Sequence, residues 1–126
     1  MQSGPDDRLA LIRRYYQAYE NDDRVAIEQL LHPGFTFTSP SPDDDRIDRA
    51  TYFERCWAPH DSIESFALLD VCADDNGALV RYRAGEVAGP GFANVEHFEF
   101  TGDHISHVEV YFGRELGLMA GTGERR

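Results

Sequence analysis

The string NVEHFEF, residues 94–100, holds the arrangement in this chain best suited to chemistry. Side chains alternate across a strand, so if Phe98 and Phe100 mark the inward face, Glu96 and Asn94 go to the interior with them. A carboxyl placed among Phe98, Phe100, Val110 and Phe112 loses its water. Its pKa then rises, and it can serve as an acid, a base or a protonated hydrogen-bond donor. The plainer alternative is a buried acid paired with Asn94 or a tyrosine.

Other candidates are weaker. Asp43, Asp44 and Asp45 form a run that could supply a base, although a solvated loop is the ordinary fate of such a run. His97, His107, Glu99 and Glu109 fall on the opposite parity from Glu96 and have no metal-ligand spacing, so no metal is expected there. Cys56 and Cys72 lie in a predicted helix and a predicted strand, and without CxxC spacing they read as buried, reduced thiols. No GxGxxG, P-loop or GxSxG motif occurs, so neither a nucleotide cofactor nor serine-hydrolase chemistry is expected.

These side chains are carried on 126 residues, the length of one domain, with 41% hydrophobic and 12% aromatic residues to fill a core. The formal charge of -11 repels phosphate backbones and anionic lipids, which excludes nucleic acid and membrane as expected partners. MQSGPDD has no basic or apolar leader character, and no apolar run nears the roughly 20 residues of a membrane span. A cytoplasmic location is therefore the expectation. We read residues 1–126 as a single domain, ordered from about residue 6 to 114, with a flexible tail over 115–126.

Leu9, Ile12, Tyr16 and Tyr19, joined by Leu11 and Tyr15, recur at helical intervals and predict a first helix from about Asp6 to Glu20. NDDR caps a second, shorter helix bearing Val25, Ile27, Leu30 and Leu31, which ends before Pro33-Gly34. FTFTSP alternates as a strand, with Phe35, Phe37 and Ser39 on one face and Thr36 and Thr38 on the other. Asp48 caps a third helix, RATYFERCW, whose buried side holds Tyr52, Phe53, Cys56 and Trp57.

Turns at Asp74-Asp75-Asn76-Gly77, Gly89-Pro90-Gly91 and Thr101-Gly102-Asp103 divide Ser62 to Gly113 into four antiparallel strands. Val80, Tyr82 and Ala84 face inward against Arg81 and Arg83; Val108, Val110 and Phe112 face inward against His107, Glu109 and Tyr111. The inward parity of Glu96 further requires a bulge or a three-residue loop near Gly102. The predicted class is α+β: three N-terminal helices packed in the concave face of a curved, mainly antiparallel sheet, around an apolar pocket.

In this order of elements, the strings RYYQAYENDD, FTFTSP, IDRATYFERCW, NVEHFEF and HVEVYFG resemble the nuclear transport factor two-like superfamily. The nearest resemblance is to SnoaL-like and ketosteroid isomerase-like proteins. It implies a cone-shaped domain open at one end and a homodimer formed through the outer sheet face. The catalytic tyrosine of the isomerases falls on Tyr15 and their inward acid on Glu96. Their base falls on Ser39, which cannot abstract a carbon-bound proton, so a true steroid isomerase is not expected.

The expected lining of the pocket is Tyr19, Phe35, Phe37, Ser39, Tyr52, Trp57, Tyr82, Asn94, Phe98, Val108, Val110 and Phe112. Two functions fit. One is a cofactor-free isomerase, cyclase or dehydratase acting on an apolar carbonyl or hydroxyl compound through Tyr15 and Glu96. The other is a non-catalytic binder of a hydrophobic metabolite, or an accessory dimerisation module.

Overall fold

Tight turns and capping side chains set the order of elements. Helix α1, Pro5–Glu20, ends in a turn where Asp22 takes a positive φ of 56° and the Asp23 amide donates to the Ala18 carbonyl at 2.8 Å. Asp23 then caps α2, Arg24–Leu30, its carboxylate accepting from the Ala26 amide at 3.1 Å. Strand β1, Leu31–Thr38, and a two-residue strand β2, Ile47–Asp48, follow. Asp48 caps α3, Arg49–Tyr52, accepting from the Thr51 amide at 2.9 Å, and the helix widens into a π-helical turn over Phe53–Trp57. Strands β3, Ile63–Ala73, β4, Ala78–Glu86, β5, Phe92–Thr101, and β6, His104–Glu115, complete the chain. This computed structural model describes residues 5–57, 63–87 and 89–115. The expected tail beyond residue 115 lies outside the described residues.

The six strands form one sheet in the order β2-β1-β6-β5-β4-β3, antiparallel except where β1 runs parallel to β6. The α+β class and the helices-then-meander order hold. Ile12, Tyr15 and Tyr16 of α1, Ile27 and Leu30 of α2, and Tyr52 join Phe35, Val80, Phe98 and Val108 of the sheet in one core. Burial of that shared apolar surface is the main force holding helices to sheet.

Three local readings change. The strand begins at Leu31 and not at Phe35, because Pro33-Gly34 sits in an irregular stretch where the β1–β6 register shifts and no ladder bond is demanded of proline. Val25 is exposed, the buried stripe of α2 being Ile27 and Leu30. Cys72 is exposed and Cys56 half-buried, both as free thiols.

Two bulges decide which side chains face the helices. Gly102 and Asp103 make a tight turn between Thr101 and His104, and the ladder would then carry the wrong parity. Glu99 pairs with His107 while Phe100 pairs with Ile105, so Ser106 is the extra residue that restores it. Val108 thereby faces Phe98, and Val110 faces Glu96. The second bulge is at Gly113, between the pairs Asn94–Phe112 and Ala93–Arg114. A Cβ at Gly113 would overlap the Ala93 carbonyl oxygen, so only glycine fits there.

Gly113→Ala is accordingly expected to cost about 2 kcal/mol, because the overlap is with rigid backbone. Gly34→Ala, whose nearest neighbour is the movable His32 ring at 3.4 Å, should lie within about 0.5 kcal/mol of the parent. Urea denaturation of both variants checks the difference.

Candidate active site

Glu96 is 7% exposed and points among aromatic rings, as its strand parity requires. The Tyr16 hydroxyl donates to Oε1 in a short contact, and the Tyr82 hydroxyl donates to Oε2 at 3.1 Å. Asn94 donates from Nδ2 to the Tyr82 oxygen at 3.2 Å and accepts from the Gly113 amide at 2.9 Å. The β6 bulge thus anchors a chain of hydrogen bonds that ends on the carboxyl. Beside it, the Tyr52 hydroxyl meets that of Tyr15 at 2.7 Å and that of Tyr19 in a short contact.

A cavity of about 120 Å³ opens among these groups, lined by Tyr15, Tyr16, Tyr19, Phe37, Tyr52, Cys56, Ile63, Phe66, Tyr82 and Glu96. Helix α1 supplies three phenols from one broad stripe, since positions 15, 16 and 19 share a helix face. Glu20, at the end of α1, accepts the Phe66 amide of edge strand β3 at 2.7 Å, which holds the Phe66 ring 5.0 Å from that of Tyr16.

Burial pushes the Glu96 carboxyl from an ordinary 4.5 up to about 7; the two phenol hydrogen bonds pull the other way and only partly offset it. Burial first, and then the neighbouring Glu96 charge, raises Tyr16 and Tyr82 far above the phenol range, so both remain neutral donors. Tyr15, Tyr19 and Tyr52 are raised chiefly by burial as well. Burial, helped by the Asp44 charge, lifts the Cys56 thiol to about 12, which leaves it protonated and a poor nucleophile.

Of the residues expected at the site, Tyr15, Tyr19, Phe37, Tyr52, Tyr82 and Glu96 meet in this cavity. Phe35, Phe98, Val108 and Val110 belong to the core beneath it, with the Phe35 ring 4.9 Å from Tyr52 and the Phe98 ring 5.4 Å from Tyr15. Trp57 backs Tyr19 at 4.8 Å, and Asn94 acts through Tyr82. Phe112 is a correction: it is 60% exposed. The alternation that buries Val108 and Val110 runs on past the covered part of the sheet, next to the Gly113 bulge.

His107, expected on the outer face and open to water or a partner, is buried there, its Nδ1 meeting Thr36 Oγ1 at 2.7 Å. Burial and the nearby Arg46 charge lower its pKa. Among the described residues no group of histidine, cysteine and acid side chains could hold a metal ion.

Tyr15 keeps its place in the cavity, but the phenol of α1 that reaches Glu96 is that of Tyr16. The RYYQAY stripe signals both residues; which hydroxyl reaches the carboxyl depends on the rotation of α1 over the sheet. Cys56 lies on the side of the third helix expected to be buried, whereas Ile63 and Phe66 come from β3, whose faces the sequence does not separate. Ser39 is bound in its loop, its hydroxyl donating to Asp44 Oδ2 at 2.8 Å. Asp44 is buried, and its Oδ1 lies 2.5 Å from the Arg55 guanidinium. A larger groove, about 870 Å³, lies elsewhere, between α2, β1 and α3. Within it Arg24 pairs with Glu28 at 2.6 Å, and Arg49 donates to the Glu28 carbonyl at 2.6 Å.

The SnoaL-like domain model matches residues 12–108, which span every element that builds the cavity. The chain belongs to the SnoaL-like domain family. Solved structures share its fold. An NTF2-like protein of unknown function from Cytophaga hutchinsonii superposes with a TM-score of 0.68 at 17% identity, covering 90% of this chain and 95% of that one. A protein described as a ketosteroid isomerase from Kribbella flavida gives 0.73 at 18%, covering 87% and 80%. An LEH-like epoxide hydrolase of M. tuberculosis gives 0.73 at 18%, covering 93% and 92%. At these identities the likeness is one of fold. No curated protein matches the sequence. No helix among the described residues is long and apolar enough to cross a membrane.

The Glu96 carboxyl of this SnoaL-like domain should govern its response to pH. Because its folded pKa is raised, the native state holds more protons than the unfolded chain between about pH 4.5 and 7. Stability should therefore fall as pH rises through that window and level off above it. The full effect is about 3 kcal/mol for a shift of this size. The stability difference between Glu96→Gln and the parent, measured by urea denaturation across pH 4 to 8, should change by about that amount in favour of the glutamine variant.

Proposed function

We propose that this SnoaL-like domain is an enzyme of the isomerase, cyclase or dehydratase type that uses its own side chains for acid–base chemistry on an apolar carbonyl or hydroxyl compound. The observation that carries the proposal is a carboxyl facing a cavity with its pKa near 7, where it can both give and take a proton at neutral pH. Glu96 delivers its proton to the substrate oxygen, or accepts one from an adjacent carbon. Tyr16, already donating to Oε1, steadies the charge as it moves between carboxyl and substrate. Tyr82, held by Asn94, does the same at Oε2. Tyr15 lines the cavity and positions the row of phenols through Tyr52.

A second reading has its own support. Both Glu96 oxygens already accept phenol hydrogen bonds, and Asp44, which accepts from Ser39, is paired with Arg55. Such satisfied groups also suit a passive binder of a small metabolite. Mass spectrometry on material purified from its own host separates the two: a co-purifying compound that changes on incubation supports the enzyme, and one returned unaltered supports the binder.

With a converted compound in hand, Glu96→Gln should lower kcat/KM by about 100-fold or more, and Tyr16→Phe by about 10-fold. The parent profile should bend near pH 7. Unchanged turnover in both variants sinks the assignment.

We also propose a homodimer formed through the outer sheet face, where Leu79 of β4 and Tyr111 of β6 are each about half exposed. Light scattering should give about twice the 14.3 kDa chain mass, and a value at 14.3 kDa counts against pairing.

A further inference from the structure

The cavity is small for a metabolite site. Ordinary small-molecule pockets measure about 300–1,000 Å³, whereas an apolar cavity of about 150 Å³ accepts benzene. The 120 Å³ beside Glu96 is thus on the scale of one ring. Its walls are themselves packed rings: Tyr16 lies 5.0 Å from Phe66 and 5.4 Å from Tyr82, Phe66 lies 5.5 Å from Tyr82, and Tyr15 lies 5.4 Å from Tyr19. Each ring braces its neighbours in tilted or edge contact, so widening the cavity sacrifices several aromatic contacts at once.

Charge narrows the choice further. Among the described residues the polar lining consists of neutral phenols, one thiol and the Glu96 carboxyl, with no arginine or histidine. An anion entering here would give up its water, find no cation and sit beside a carboxyl, in a protein of net charge -11.

We infer that the site takes a neutral compound of a single six-membered ring bearing one hydrogen-bonding oxygen, and excludes fused-ring compounds and carboxylate anions. The oxygen lies at the Glu96 and Tyr16 end, and the ring packs against Phe66, Tyr82 and Phe37. This inference rests on the reading of Glu96 and its phenols as the polar end of the working site.

Calorimetric titration with phenol, 1-naphthol and benzoate at pH 7 tests it. Apolar burial alone would make 1-naphthol the tightest of the three. The cavity predicts instead that phenol binds about tenfold more tightly than either of the others. Phe66→Ala, or Phe66→Leu if the alanine variant does not fold by circular dichroism, should shift the 1-naphthol to phenol preference by about tenfold toward 1-naphthol. No saturable phenol binding, 1-naphthol or benzoate binding as tightly as phenol, or an unmoved preference in the Phe66 variant would each overturn the inference. Selective phenol binding without Glu96-dependent turnover of one-ring carbonyl compounds would keep the size class and remove the enzyme. Glu96-dependent turnover of a fused-ring substrate would keep the enzyme and remove the size class.

Discussion

The hydrogen bonds from Tyr16 and Tyr82 to Glu96 are the interaction around which the rest of the site is organised. A carboxyl stripped of water is costly in either protonation state unless its oxygens are met. Two phenols meet them here, and each phenol is fixed by a different part of the fold. Tyr16 is set by the packing of α1 on the sheet. Tyr82 is set by β4 and by Asn94, which is tied in turn to the backbone at Gly113. Shifting either support would leave a buried acid half satisfied. Packing of helix to sheet and the acid–base state of the site are therefore one problem.

That coupling gives the sheet bulges their purpose. The bulge at Ser106 returns Val110 and Glu96 to the helix side after a turn that would otherwise have reversed them. The bulge at Gly113 aims a backbone amide at Asn94. In each case one extra residue converts a regular ladder into a device that orients a polar side chain. The π-helical turn at Phe53–Trp57 acts in a similar place on the helical side, where Cys56 reaches the cavity and Trp57 backs Tyr19.

Membership of the SnoaL-like family defines a scaffold whose structural neighbours carry different activities, so the chemistry has to be read from this chain's own groups. Ser39 is not in the cavity lining; it donates to Asp44, which pairs with Arg55, and so is held in its own loop. The polar end of the cavity, at Glu96, is poised near neutrality. A chemistry that needs one carboxyl and several neutral donors suits such a site better than one that needs a second, separate base.

The sequence by itself determined the α+β class, a cap within NDDR and another at Asp48, the inward parity of Tyr82, Glu96 and Phe98, and the need for a bulge or a three-residue loop near Gly102. All of these depend on periodicity, capping chemistry and turn residues within a few positions of one another, which are local properties. Only the tertiary structure decided that Tyr16, one residue from Tyr15, holds the carboxyl, that Phe66 closes the cavity, that Phe112 lies outside it and that Asp44 locks Ser39. These outcomes turn on the rotation of one helix, the pairing of strands distant in sequence and the place where a covered sheet ends. Each is set by side chains brought together from separate parts of the chain, and no short-range pattern encodes it.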